Sequence, residues 1–321
     1  MTIKPGIREF LWMVAGAVIL LVVILLVLHF KVTANPAQQL AFKARRADLA
    51  GRMRLTLASA SEAEKNAVLA VTDQDSLAFA DQARMATAEV ERESKELGEL
   101  LATGGTQDEK DILAQFSREF VKLKLIDDDL LGLAVKNTNI KAYGLAFGPA
   151  ADTLTELNAA LARLVEKSAG SADDRNVAML VFGAQTAALR IQILLAPHIA
   201  EESNAKMDEL ESRMAGEDQL VRKDLDSLAG LQEFHGDPDL ETAESGYARF
   251  SEIRKQILAL SRENSNVRSL AISLGQKRTV LLLCQDALSA LQDAILKEPV
   301  EGYEYGFNPR SLQTDKTGAG K

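Results

Sequence analysis

Four arginines lie close together at Arg45, Arg46, Arg52 and Arg54. A guanidinium fork pairs a carboxylate through two parallel hydrogen bonds, so such a cluster can grip an acidic solute. The simpler account is a solvated basic face near lipid headgroups. A second group is amide-bearing: Asn137, Asn139, Asn264 and Asn266. Asparagine side chains can line a polar ligand site, but they also serve turns and helix N-caps, and that chemistry already accounts for their places. Arg190 stands between Leu189 and Ile191 in an apolar stretch, where it either snorkels or meets a carboxylate. Asp127, Asp128 and Asp129 form an acidic run that reads as a solvated face. His29, His198 and His235 are far apart, and no His, Cys or carboxylate spacing matches a metal site. Neither a Gly-rich phosphate loop nor a serine elbow occurs, nor the Glu-x-x-His pairs that helical bundles use for paired metals. The sequence predicts no enzyme, no metal and no cofactor.

The elements that must position these residues are written twice. Asn137–Gly148 returns as Asn264–Gly275, 127 residues later, with nearly every position matched in kind. The match continues without a gap through Leu131 and Leu258, Leu154 and Leu281, Leu161 and Leu288, and Leu164 and Leu291. A fixed-period repeat has to be read before any local feature.

Abundant Ala, Leu, Glu, Lys and Arg, with few aromatics, favours helix. The stripes Leu154, Leu157, Leu161, Leu164 and Leu281, Cys284, Leu288, Leu291, Ile295 step by three and four, as core faces of helices do. Breakers set the boundaries. Asn35-Pro36 opens a long helix, Thr72–Asp75 caps a second, and Gly104-Gly105 ends it. Thr106-x-x-Glu109 is a capping box for a third. An unbroken helix from Asp239 to Pro299 would be about 90 Å long at ~1.5 Å per residue, too long for a compact domain. A turn at Asn137–Asn139, and another at Asn264–Asn266, resolves this, with Asn139 and Asn266 as N-caps and Pro149 kinking the next helix. The expected fold is all-α, with two antiparallel four-helix-bundle modules at residues 36–169 and 172–298 and a disordered tail at 299–321.

Residues 10–30 carry no charge, and about 20 apolar residues span a bilayer core. The run exceeds the apolar core of a cleaved signal, so it predicts a signal anchor behind a cytoplasmic tail at 1–9. The net charge is −9, and the segment before residue 32 is itself positive, so the body is more acidic still. Such a body is no nucleic-acid ligand, because phosphate binding needs clustered cations. Cys284, the single cysteine, can form no internal disulfide. Charges flank the apolar run on both sides and do not set its orientation alone; large domains translocate largely regardless of charge, which leaves the short tail as the expected cytoplasmic piece.

Several phrases carry a resemblance. Asn137–Ala142 with Leu145–Ala151, Asn264–Ala271, Cys284–Leu288, and Ala63–Ala70 followed by Asp73 resemble the four-helix-bundle sensory domain of methyl-accepting chemotaxis receptors. The resemblance covers most of residues 36–298. It implies a sensor module in the periplasm on a single helix of the inner membrane, forming homodimers. It further implies a small solute of the amino acid or organic acid class, a partner receptor, or both. First-helix arginines would grip the solute across the dimer seam. The second membrane helix, linker and cytoplasmic hairpin of that family have no counterpart in this sequence, so the expectation is a sensory module acting through contact. The alternative is a helical scaffold or coiled-coil adaptor of an envelope complex, without a small ligand.

Overall fold

A computed structural model describes residues 19–24 and 36–299. Among these residues every regular element is helical. The expected tail at 1–9, the expected anchor at 10–30 apart from residues 19–24, and the C-terminal tail beyond Pro299 lie outside the described residues. Residues 19–24 are helical, with apolar side chains exposed from Ile19 to Ile24.

The helices are α1 (Pro36–Leu69), α2 (Asp73–Gly104), α3 (Gln107–Ala134), α4 (Thr138–Phe147), α5 (Pro149–Ser168), α6 (Asp174–Ala200), α7 (Asn204–Ala229), α8 (Pro238–Glu263), α9 (Ser265–Ile272) and α10 (Arg278–Lys297). A five-residue π-helical turn, Ser273–Lys277, joins α9 to α10. Their starts follow the capping chemistry. Thr72 accepts from Asp75 N at 3.0 Å, and Asp237 accepts from Asp239 N at 2.8 Å with Pro238 at the first helical position. Thr106 and Glu109 form the full reciprocal box, at 3.2 and 3.0 Å.

The Asn turns differ from expectation in one detail. The N-cap residues are Asn137 and Asn264, both in the left-handed region at φ 52° and 53°, which a short polar side chain tolerates better than most. Asn139 and Asn266 lie one position inside the helix instead. Pro149 does not kink a continuous helix. The chain breaks at Gly148 and restarts with Pro149 at the first position of α5, where its missing N–H costs nothing.

Two compact units are present. The smaller comprises described residues 36–54, 93–114 and 287–299; the larger comprises 55–92 and 115–286. In the smaller, Lys43 Nζ donates to the carbonyl of Leu296 at 2.8 Å, and the ring of Phe42 lies against Gly104.

The larger unit shows how the two copies of the repeat combine. Its main core joins Leu154, Leu157, Leu161 and Leu164 of α5 to Val181, Ala184 and Ile191 of α6, Val221 and Leu225 of α7, and Leu240 and Phe250 of α8. Helices α4 and α5 belong to the first copy and pack on α6 and α8 of the second. Gly246 of α8 faces Thr153 and Leu157 of α5, where a Cβ would make ordinary van der Waals contact, 3.6 Å from the carbonyl of Thr153. A second core joins Ala63, Ala67 and Val68 of α1, Ala80 and Ala83 of α2, and Leu130, Leu131 and Ala134 of α3, with Ile272 of α9 packed against it. Each copy therefore lends its last helices to the first three of the other. The expected boundary at 169–172 falls inside the larger unit, and the packing crosses it. The physical reason is local: the left-handed Asn at 137 and at 264 aims the chain at the other copy's apolar face.

Two helical stretches among the described residues, Asp174–Ala200 and Pro238–Lys297, are long and apolar enough to cross a membrane by length and composition. Both also feed the cores just described.

Candidate functional site

The four asparagines predicted as a site meet in one hydrogen-bonded seam. Asn139 Nδ2 donates to Asn264 Oδ1 at 2.7 Å, and Asn266 Nδ2 donates to Asn137 Oδ1 at 3.0 Å. The exchange extends to the backbone. Asn139 N donates to Asn266 Oδ1 (3.2 Å) and Asn266 N to Asn139 Oδ1 (3.1 Å). Thr138 N donates to Ser265 Oγ (3.1 Å) and Ser265 N to Thr138 Oγ1 (3.0 Å). Each copy thus caps the other copy's helix, about a local two-fold axis. Neither Asn137 nor Asn264 caps its own helix with its side chain. The remaining amide hydrogens are used as well, from Asn137 Nδ2 to Asp73 and from Asn264 Nδ2 to the carbonyl of Glu201. Hydrogen bonds from Lys141 and Asn137 hold the Asp73 carboxyl below the usual carboxylate range. These groups satisfy one another, and the seam is a joint.

The arginines are not gathered into one patch. Arg45 pairs with Glu96, and Arg52 with Asp48 and Glu93 at 3.4 and 3.5 Å. Arg54 donates to Gln292 at 3.2 Å. Arg46 is buried, with its guanidinium 2.6 Å from Glu109, bonded to Glu298, and stacked over the Phe42 ring. Its fork is filled by the protein's own carboxylates. Arg190 reaches out of α6 toward Glu217, 3.4 Å away, at the edge of a shallow groove that Ile193 and Leu220 also line.

A hydrogen-bonded chain of Ser261, His198 and the half-buried Glu211 has the order of a nucleophilic triad. His198 Nδ1 lies 2.7 Å from Ser261 Oγ, and Nε2 lies 2.8 Å from Glu211 Oε1. The Ser261 hydroxyl, however, donates to the carbonyl of His198 at 2.9 Å, and both residues are fully buried. Ser261 and His198 offer no open face to a substrate, and the three residues tie α6, α7 and α8 together. Arg262 hydrogen-bonds to Glu211 and, with the His198 contact, holds that carboxyl low against the effect of burial.

The site that sequence reasoning missed lies between α1 and the π-helical turn. There a cleft of about 520 Å³ opens between Ala58, Ser61 and Glu64 on one side and Ser273, Lys277 and Leu281 on the other. Such a volume suits a small ligand. Its inner wall is charged and buried. Lys277 Nζ donates to Glu64 Oε2 at 2.6 Å and stands 2.8 Å from Asp127 Oδ1, as an ion pair without hydrogen-bond alignment. Lys277 is 2% exposed and Glu64 1%. Glu64 Oε1 and Ser61 Oγ have no hydrogen-bond partner. Leaving a buried polar atom unpaired costs about 1–3 kcal/mol, and these two stand side by side at the cleft, among several such atoms in the described residues. Ser61 and Glu64, three apart on α1, share one helix face. Burial pushes the Asp127 carboxyl up, Lys277 opposes that, and Glu64 adds to it.

The repeat shows what sets the wall of this cleft apart. Ser273, Gly275 and Lys277 correspond to Ala146, Gly148 and Ala150 in the first copy. Ala146 and Ala150 are buried in the α4–α5 core. Where the first copy breaks at Gly148-Pro149, the second continues through a π turn, and Ser273 and Lys277 stay buried like their counterparts. A Lys in the slot of a buried Ala is the signal the sequence held.

No family model matches the chain, and a search of curated proteins finds no match either.

Proposed function

We propose that this chain is a membrane-anchored sensory module, resembling the ligand-binding domains of chemoreceptors, that takes up a small solute. In this reading the helices form two antiparallel four-helix bundles that exchange their last helices. Residues 10–30 anchor the body in the inner membrane, with the bulk of the chain in the periplasm. The observation that carries the reading is the cleft of about 520 Å³ whose wall holds the buried Lys277–Glu64 pair and two unpaired polar atoms. In the first copy the matching positions hold Ala146 and Ala150 within an apolar core, with no buried charge.

The test is a thermal-shift screen of the full chain in detergent micelles against amino acids, carboxylates and amines. A ligand that binds only the folded state stabilises by about 2.7 kcal/mol at a hundred times its Kd. A dose-dependent rise that disappears when Ala58→Trp fills the cleft supports the reading. A flat screen on folded protein ends it.

One observation favours the scaffold reading. Met179, Phe182, Leu189 and Ile193 on α6 are exposed large apolar residues at three- and four-residue steps and their multiples, the spacing of a helix-docking seam. A photo-reactive residue at Phe182 in native membranes would trap a protein of defined mass if that face is a docking surface.

A further inference from the structure

Glu64 is a carboxylate with one oxygen used and one idle, and its idle oxygen, like the Ser61 hydroxyl, is fully buried beside the cleft. The buried cluster holds two carboxylates, Glu64 and Asp127, against the one ammonium of Lys277. The vacant hydrogen-bonding capacity of the Glu64 carboxylate asks for a donor, and a cationic donor pairs with a carboxylate most strongly. A carboxylate entering here would meet Glu64 head-on, and an apolar solute would leave both oxygens unpaired. Ala58, Leu274, Leu281 and Leu282 supply apolar wall around the polar end. We propose that the cleft binds a primary ammonium group on a small aliphatic body, the ammonium donating to Glu64 Oε1 and Ser61 Oγ. Exposed Lys65 and Arg278 at the rim could take a carboxylate on the same ligand, so the ammonium belongs either to a simple amine or to an amino acid.

This rests on the solute-binding reading, and the experiment separates the two. Isothermal titration of the full chain in micelles is run with butylammonium, with leucine and with butyrate. Binding of butylammonium, of leucine or of both, without butyrate, is the expected result. Leucine alone would place the carboxylate on the rim cations, and Lys65→Ala with Arg278→Ala would then abolish it. Glu64→Gln, which keeps shape and removes charge, weakens the amine at least about tenfold, and Ser61→Ala weakens it less. Should Glu64→Gln fail to fold, Ala58→Trp, which leaves Glu64 in place, decides by abolishing the heat. Butyrate binding without amine binding overturns the ammonium proposal and leaves solute binding standing. Amine binding untouched by Glu64→Gln and by Ala58→Trp also overturns it. No heat from any of the three, with a full thermal-shift response to some other solute, does the same, and no response to any solute removes both readings.

Discussion

At the scale of single residues, the seam turns on asparagine. Asn139 uses both ends of its amide: Nδ2 reaches the carbonyl of Ile199 at 2.6 Å and Asn264 at 2.7 Å, and Oδ1 caps Asn266. Asn139→Ala leaves several buried partners unpaired, and urea unfolding should register a loss of about 3 kcal/mol, against almost nothing for an exposed Asn such as Asn66. Asp218 is held at about 2: burial raises it, but hydrogen bonds from Arg222 and Tyr247 and the Arg254 charge outweigh burial. Its folded pKa lies below its unfolded value, so its stabilising effect is complete above about pH 4 and vanishes as pH falls through about 2. Relative to Asp218→Asn, the native protein should therefore gain about 2 kcal/mol between those limits, which acid titrations of both proteins would reveal. Burial pushes the Cys284 thiol up to about 12, so a thiol reagent at about pH 8 should react only after unfolding. The asparagines were legible as turn residues because their chemistry is local. Their partners were not, since capping here comes from 127 positions away.

At the scale of elements, the helices, caps and apolar stripes could be read from period and breakers, because each depends on neighbours within one turn. The cleft could not. Ser61, Glu64 and Lys277 come from opposite ends of the chain, and a Lys within a helical pattern reads as solvent-facing until its slot in the repeat is compared with Ala150. The contact between α1, α3 and the π turn has a measurable signature. Lys277→Met alone strands two buried carboxylates and should cost about 3 kcal/mol or more. Adding Glu64→Gln and Asp127→Asn should return most of it, since the loss is one of charge left unpaired. A triple variant no more stable than the single would mean that Lys277 matters by its packing instead.

At the scale of the whole molecule, a repeat announces which residues are alike and is silent on which copy they pack against. Apolar period marks a face without naming its partner, and so the exchange of last helices was invisible in the sequence. It has a direct test. A chain of residues 172–299 lacks α4 and α5, hence the fully buried Leu157, Leu161 and Leu164, each worth about 1.5–3 kcal/mol. Alone it should melt without a cooperative transition, and co-expression with residues 36–171 should restore one. If 172–299 melts cooperatively by itself, helix exchange is not what holds the core.

Lys136 and Glu263 occupy the same place in the two copies and pair across the seam at 2.6 Å. About a two-fold axis, matching positions face each other, so two identical copies would set Lys against Lys or Glu against Glu. Their difference makes the halves complementary, like two sides of a clasp. A half-length chain meeting its own kind would be repelled at this point, while the joined halves attract. The opposite charges thus give the molecule a left and a right, and bias each half toward the neighbour already tethered to it.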